Sequence, residues 1–308
     1  MISILYMGTP EFSVTPLKKL LESKDKYSVI GVVTNKDKPV GRKQVMTPSP
    51  VSLCAQKYGI KVYKYDKIRV EGFYDIKTMN PDLIITCAFG QILSQEILDI
   101  PKFGVINIHA SLLPKYRGAS PVHYALLNGE KQTGVTIMKT DAGIDTGDIL
   151  FVKKTGISDK ETTGELMNRL SVLGAEALDE SLDKILSGEI KPVKQDEKCS
   201  SYTKMIKKQD AIIDWNKSAY EIYNHVRAFM PSPVAYTFLD GEMLKIYSVE
   251  VLDGTGSAGE IINTDGALEV ATSSGSIRIT TIQKAGGKIM NITDFLRGNK
   301  IKVGSRLG

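Results

Sequence analysis

The first half of the chain alternates short apolar, β-branched runs with stretches whose apolar positions recur at helical spacing. Residues 2–7, 28–33, 83–87 and 105–108 read as strands, with helices near 14–21, 50–58, 72–79 and 94–97 between them. That alternation is the signature of an α/β domain with a mostly parallel sheet covered by helices. Residues 135–139 and 149–152 read as two further strands. Thr162 and Glu165 have capping-box spacing, and Leu166, Leu170, Leu173, Ala177 and Ile185 roughly follow the helical period, so a long helix is expected to close this half. After Gly188 the pattern gives way to a lysine-rich, mixed-charge run with the composition of a linker. Beyond it, a helix at 219–229 precedes short alternating runs at 235–239, 244–249, 268–272 and 277–282, which suggest a small β-barrel. The expected domains are 1–189 and 207–308, joined by a basic linker at 190–206.

Composition narrows this picture without changing it. A chain of 308 residues, 42% hydrophobic and 24% charged, suits two folded globular domains. No apolar run approaches the roughly 18 to 20 residues that span a bilayer. The opening residues lack a basic, cleavable leader and read as a buried strand, so a cytoplasmic, membrane-free protein is expected. Cys54, Cys87 and Cys199 are far apart and odd in number, which suggests neither a disulfide framework nor a zinc site. His109, His123 and His225 include no pair at ligand spacing, so no metal is expected. A net charge of +5 permits a polyanionic partner without demanding one. Its distribution is more telling. Residues 35–50 carry Lys36, Lys38, Arg42 and Lys43 against Asp37 alone. A second basic arm holds Lys191, Lys194, Lys198, Lys204, Lys207 and Lys208 against Asp196 and Glu197.

The stretch from Val105 to Gly118 carries the densest chemistry. Side chains alternate along a strand, so Asn107 and His109 share one face while Ile106 and Ile108 enter the other. An amide and an imidazole thus stand together near the strand's carboxyl end, where open α/β sheets bind ligands. Downstream, Asp141-Ala142-Gly143-Ile144-Asp145-Thr146-Gly147-Asp148 has glycines that let a loop turn tightly and bring a carboxylate toward a neighbouring loop. It lacks the regular acidic pattern of a calcium loop. The turn after the first strand, Met7-Gly8-Thr9-Pro10, lacks the glycine spacing of a dinucleotide site.

Asn107, His109, Ser111-Leu112-Leu113-Pro114 and Tyr116-Arg117-Gly118, followed by Ile144-Asp145-Thr146-Gly147-Asp148, resemble the folate-dependent formyltransferase family. The resemblance implies a Rossmann-like catalytic domain, an OB-type β-barrel after it, and 10-formyltetrahydrofolate as co-substrate without a metal. It also implies that Asn107, His109 and Asp145 are catalytic. Formyl transfer places negative charge on the former carbonyl oxygen, where the Asn107 amide and His109 imidazole can donate; losing one such donor typically costs about 3–4 kcal/mol. Asp145 is expected to orient His109, favour its charged form and help relay protons. Phe89-Gly90-Gln91-Ile92-Leu93 resembles the family's pterin-holding loop, since apolar walls and exposed main-chain groups suit a flat heteroaromatic. Ser111, Leu112, Leu113 and Pro114 complete the folate side.

The basic loop after the second strand resembles the tRNA-reading insertion of family members that act on methionyl-tRNA. Arg42 would fork onto phosphates or a base edge, while Lys36, Lys38 and Lys43 attract the backbone without regard to sequence. Ile213-Asp214-Trp215, Val226-Arg227-Ala228-Phe229 and Pro231-Ser232-Pro233 resemble the opening of the family's carboxyl-terminal domain, so the match covers nearly the whole chain. Initiator methionyl-tRNA is the implied acceptor and a monomer is expected; the alternative acceptor is a sugar amine with the same donor. Trp215, Phe229, His123 and His225 read as core residues.

Overall fold

A computed structural model describes every residue except Lys24 and Arg42. The chain enters through β1 (Ile2–Gly8), α1 (Val14–Glu22) and β2 (Tyr27–Asn35), then a hairpin of β3 (Lys38–Val40) and β4 (Val45–Thr47). It continues through α2 (Pro50–Lys57), β5 (Val62–Tyr65), α3 (Ile68–Glu71), α4 (Phe73–Met79), β6 (Leu83–Cys87), α5 (Gln95–Leu98) and β7 (Val105–His109). Next come β8 (Arg117–Gly118), α6 (Pro121–Leu127), β9 (Gln132–Lys139), β10 (Ile149–Gly156), α7 (Thr163–Leu186) and β11 (Tyr202–Thr203). Two compact units result. Met1–Pro121, Gln132–Gly156 and Met167–Lys204 form the first, and Val122–Lys131, Ile157–Leu166 and Met205–Gly308 form the second.

In the first unit a seven-stranded sheet runs in the order β10-β9-β7-β6-β1-β2-β5. The five strands from β7 to β5 are parallel, and β9 and β10 extend the sheet antiparallel. Burial explains why these strands are readable: Leu83 through Cys87 are all buried, as are Ile4 through Gly8's neighbour Met7, and strands covered on both faces become continuous apolar runs. The Asp82 carboxylate accepts from Ser3 N at 2.8 Å and Ser3 Oγ at 2.7 Å, tying the starts of β1 and β6. From β1 the chain works outward to β2 and β5, then returns to the opposite side of β1 for β6 and β7. Such a reversal opens a crevice at the carboxyl ends of the central strands.

Local signals set the helix starts. Ser49 caps α2, its Oγ accepting from Ser52 N at 3.0 Å, with Pro50 preset at the first position. Thr162 and Glu165 make the expected capping box, with Thr162 N donating to Glu165 Oε2 at 2.9 Å and Glu165 N to Thr162 Oγ1 at 3.4 Å. The run at 190–206 is tied to the first unit through Lys204: Val193 bridges Ile149, and β11 pairs in parallel with β8.

The second unit adds α8 (Ala219–Ala228), β12 (Tyr236–Leu239), β13 (Glu242–Leu252), β14 (Ile261–Asn263), β15 (Leu268–Ala271), β16 (Ser276–Lys284), β17 (Met290–Asn291) and α9 (Ile292–Gly298). Its strands form a curled antiparallel half-barrel in the order β12-β13-β16-β15-β14, with β17 also on β16. Trp215 and Phe229 are core residues here, and the Trp215 indole donates to Thr237 Oγ1 at 3.0 Å. His123 and His225 pack around Phe229, with ring centroids 6.4 and 4.5 Å away. Burial pushes both imidazoles below their ordinary pKa. Among the described residues, no helix is long and apolar enough to cross a membrane, and no three His, Cys, Asp or Glu side chains gather to hold a metal.

Candidate active site

At its carboxyl end strand β7 presents Asn107 and His109 on one face, in register with β6 on one side and β9 on the other. The loop between β9 and β10 brings Asp145 to them. Its Oδ1 accepts from Asn107 Nδ2 at 3.3 Å, and its Oδ2 lies 3.5 Å from His109 Nδ1 and accepts from Gly118 N at 2.7 Å. The amide, imidazole and carboxylate expected to act together therefore meet, although 36 residues separate the carboxylate from the imidazole in sequence. His109 is 6% exposed and the Asp145 side chain 17%, so the carboxylate keeps one side open to a ligand.

Each partner is held by groups that sequence reading passed over. Thr86 Oγ1 donates to Asn107 Oδ1 at 2.9 Å, which turns the amide's NH₂ toward Asp145. One N–H of that NH₂ faces the carboxylate and the other remains for a ligand. His109 Nε2 lies 2.9 Å from the Tyr116 carbonyl; because a carbonyl only accepts, this nitrogen carries the proton and donates. Both ring nitrogens thus face acceptors of the protein itself, and of the two side chains Asn107 keeps the more available donor.

The loop carrying Asp145 is shaped locally. Asp141 Oδ1 accepts from Gly143 N at 3.0 Å and Thr146 Oγ1 at 2.7 Å. Gly147 runs against β9 so closely that a Cβ there would collide with the Lys139 carbonyl. Asp145 itself has φ +52°, in the left-handed region that Asp tolerates better than most residues.

The expected folate loop, 89–93, follows β6 and divides its side chains between two tasks. Phe89 and Leu93 are buried in the core with Leu5, Val33 and Ile97, whereas Ile92 is 64% exposed. Gln91 is used by the fold: its Nε2 donates to Asn35 Oδ1 at 2.5 Å and to the Tyr65 carbonyl at 3.0 Å, and its Oε1 accepts from Ile68 N at 2.7 Å. Exposed Ala88 and Gly90, with φ +44° and +75°, turn the main chain outward. The surface offered to a flat ligand is therefore main chain plus Ile92, rather than all five side chains. Ser111 Oγ donates to the Lys115 carbonyl at 2.7 Å, and Thr136 Oγ1 both donates to the Ser111 carbonyl and accepts from Leu113 N. Leu112 is half-buried and Leu113 buried; the Leu113–Pro114 bond is cis.

The basic insertion after β2 is the β3–β4 hairpin, both strands of which are exposed throughout. Its base is pinned by ion pairs of Lys36 with Asp66 at 2.7 Å and Lys64 with Asp37 at 2.6 Å. Lys38 and Lys43 are exposed, and Arg42 lies outside the described residues.

Comparison with known proteins places this geometry in a family. Residues 1–182 match the family described as Formyl transferase, and residues 205–300 match Formyl transferase, C-terminal domain. A methionyl-tRNA formyltransferase of Geotalea uraniireducens is 48% identical, covering 99% of this chain and 97% of that protein. One from Citrifermentans bemidjiense is 47% identical over 99% of this chain and 96% of its own. The solved N-formyltransferase of Helicobacter canadensis, in complex with folinic acid and dTDP-3-aminofucose, superposes with a TM-score of 0.69 at 24% identity. It covers 92% of this chain and 100% of its own, a likeness of fold. With both halves matched and relatives aligned nearly end to end, the chain belongs to the formyl transferase family.

Proposed function

We propose that this protein transfers the formyl group of 10-formyltetrahydrofolate to the amino group of methionyl initiator tRNA, giving N-formylmethionyl-tRNA for translation initiation. The observation that carries the reading is the meeting of Asn107, His109 and Asp145 at the carboxyl edge of the sheet. The methionyl-tRNA formyltransferases aligned along nearly the whole chain support the acceptor, as does the exposed basic hairpin. In this reading Asn107 donates to the oxygen on which negative charge grows. Such a preset donor stabilises the transition state because it needs no reorganisation. His109, fixed between Tyr116 and Asp145, holds a proton near the reacting nitrogen, and Asp145 accepts from the amine side. The folate ring would lie against the main chain of 88–92, Ile92 and the 111–114 turn.

The test supplies 10-formyltetrahydrofolate labelled in its formyl carbon, with four acceptors in parallel: methionylated initiator tRNA, methionylated elongator tRNA, free methionine and a nucleotide-linked amino sugar. Label is expected on methionyl initiator tRNA. Preferential labelling of the amino sugar, or release of labelled formate whichever acceptor is present, overturns the reading.

A further inference from the structure

The geometry points to Gln195 as a positioning residue for formyl transfer, one that holds the Asp145 carboxylate in place from the segment following α7. This inference rests on the proposed role of Asp145. Gln195 Nε2 donates to two carbonyls of the same loop, those of Asp145 at 2.8 Å and Gly147 at 2.7 Å. Its Oε1 accepts from Arg117 Nε at 3.0 Å, so the amide has one orientation and its NH₂ must face the loop. Arg117 is fully buried and fixed in turn: its guanidinium meets both oxygens of Glu197 at 2.8 and 3.0 Å and the Tyr202 hydroxyl at 2.9 Å.

The result is a closed ring of contacts. Arg117 reaches the Asp145 main chain through Gln195, while its neighbour Gly118 donates its own N–H to the Asp145 carboxylate. The same segment supports the imidazole, since Ser201 Oγ accepts from Tyr116 N at 2.9 Å and the Tyr116 carbonyl receives His109. Asp145 sits at φ +52°, a conformation that persists where surrounding contacts over-determine it. Its contacts to Asn107 and His109 are long, 3.3 and 3.5 Å, so a small drift of the loop would lose both. Gln195 is placed to prevent that drift.

Gln195→Glu keeps the side-chain shape and the acceptor for Arg117 but turns an oxygen toward two carbonyls. Gln195→Leu removes the polar contacts altogether. Each is expected to lower kcat about tenfold to a hundredfold, with KM for folate and tRNA held within about twofold, as for misplacement of a catalytic group, in protein that still folds with a Tm lowered by about a few degrees for the lost hydrogen bonds. In an Asp145→Ala background the same substitutions should change kcat by less than about twofold, because residues acting as a unit are not additive. Parent-level kcat in folded Gln195 variants, or an equal loss with and without Asp145, overturns the proposal. So does failure of both variants to fold, which would assign Gln195 to stability alone. If Asp145→Ala itself leaves kcat intact, the fault lies in the reading of the site, a result distinct from the others.

Discussion

Thr86 shows how much of this site depends on single side chains outside the expected trio. It sits on β6, opposite Asn107 in the parallel register, and its hydroxyl fixes which end of the amide is the donor. Thr86→Val preserves shape and removes that bond. The amide can then rotate and present its oxygen to the growing charge, so kcat should fall about tenfold with little change in KM, and stability should drop by about 1 kcal/mol for the lost hydrogen bond. Single-turnover transfer and urea unfolding measure the two separately, and an unchanged single-turnover rate would remove Thr86 from the site. Gln91 carries the opposite lesson. It stands in the expected folate loop, yet three hydrogen bonds commit it to joining that loop to Asn35, Tyr65 and Ile68.

At the level of elements, strands buried on both faces or alternating strictly are the ones whose patterns were readable. β7 is the clearest case, because the period of two that hides Ile106 and Ile108 also sets Asn107 and His109 side by side. The edge strand β5 is not legible as a strand because Val62, Tyr63 and Lys64 are only half-buried and its sequence is mixed in character. The hairpin β3–β4 has no buried face at all, so its sequence reads only as a charged loop. Helices α6 and α8 carry His123 and His225, whose imidazoles burial holds neutral. A depressed histidine pKa means the unfolded chain binds more protons than the folded one, so stability falls as pH drops from about 6.5 toward the folded-state value. Trp215, the one tryptophan, lies in the core of the same unit and reports on it. Its fluorescence should show a lower Tm at about pH 5.5 than at about pH 7.5, and His225→Gln should shrink that difference. A pH-independent midpoint over this range would contradict the neutral, buried assignment.

On the scale of the whole molecule, charge decides how a large polyanion is met. The excess of +5 is modest, but the exposed hairpin concentrates part of it at Lys38 and Lys43. Each lysine that contacts a phosphate releases condensed counterions, so Lys38→Ala and Lys43→Ala should each weaken tRNA binding and reduce the slope of log K against log salt by about one. The folate KM should not move, because both substitutions change exposed side chains of the hairpin and leave the residues assigned to the ring untouched. Unaltered salt dependence in the double variant would take the hairpin out of tRNA binding.

The amino-acid sequence by itself determined the parallel α/β half and the antiparallel half after it, and it offered Asn107, His109 and Asp145 as candidates through residues that resemble a family. All of these rest on short-range periods and on residue types that appear in the chain as written. Tertiary structure alone decided which groups support them. The Thr86 contact follows from strand register, the Tyr116 carbonyl from the path of a turn, and Gln195 and Arg117 from a segment that returns after α7 across a gap of 78 residues. Hydrogen bonds between residues so far apart leave no periodic trace, since any polar side chain at those positions fits the same local pattern, and only folding reveals which of them meet.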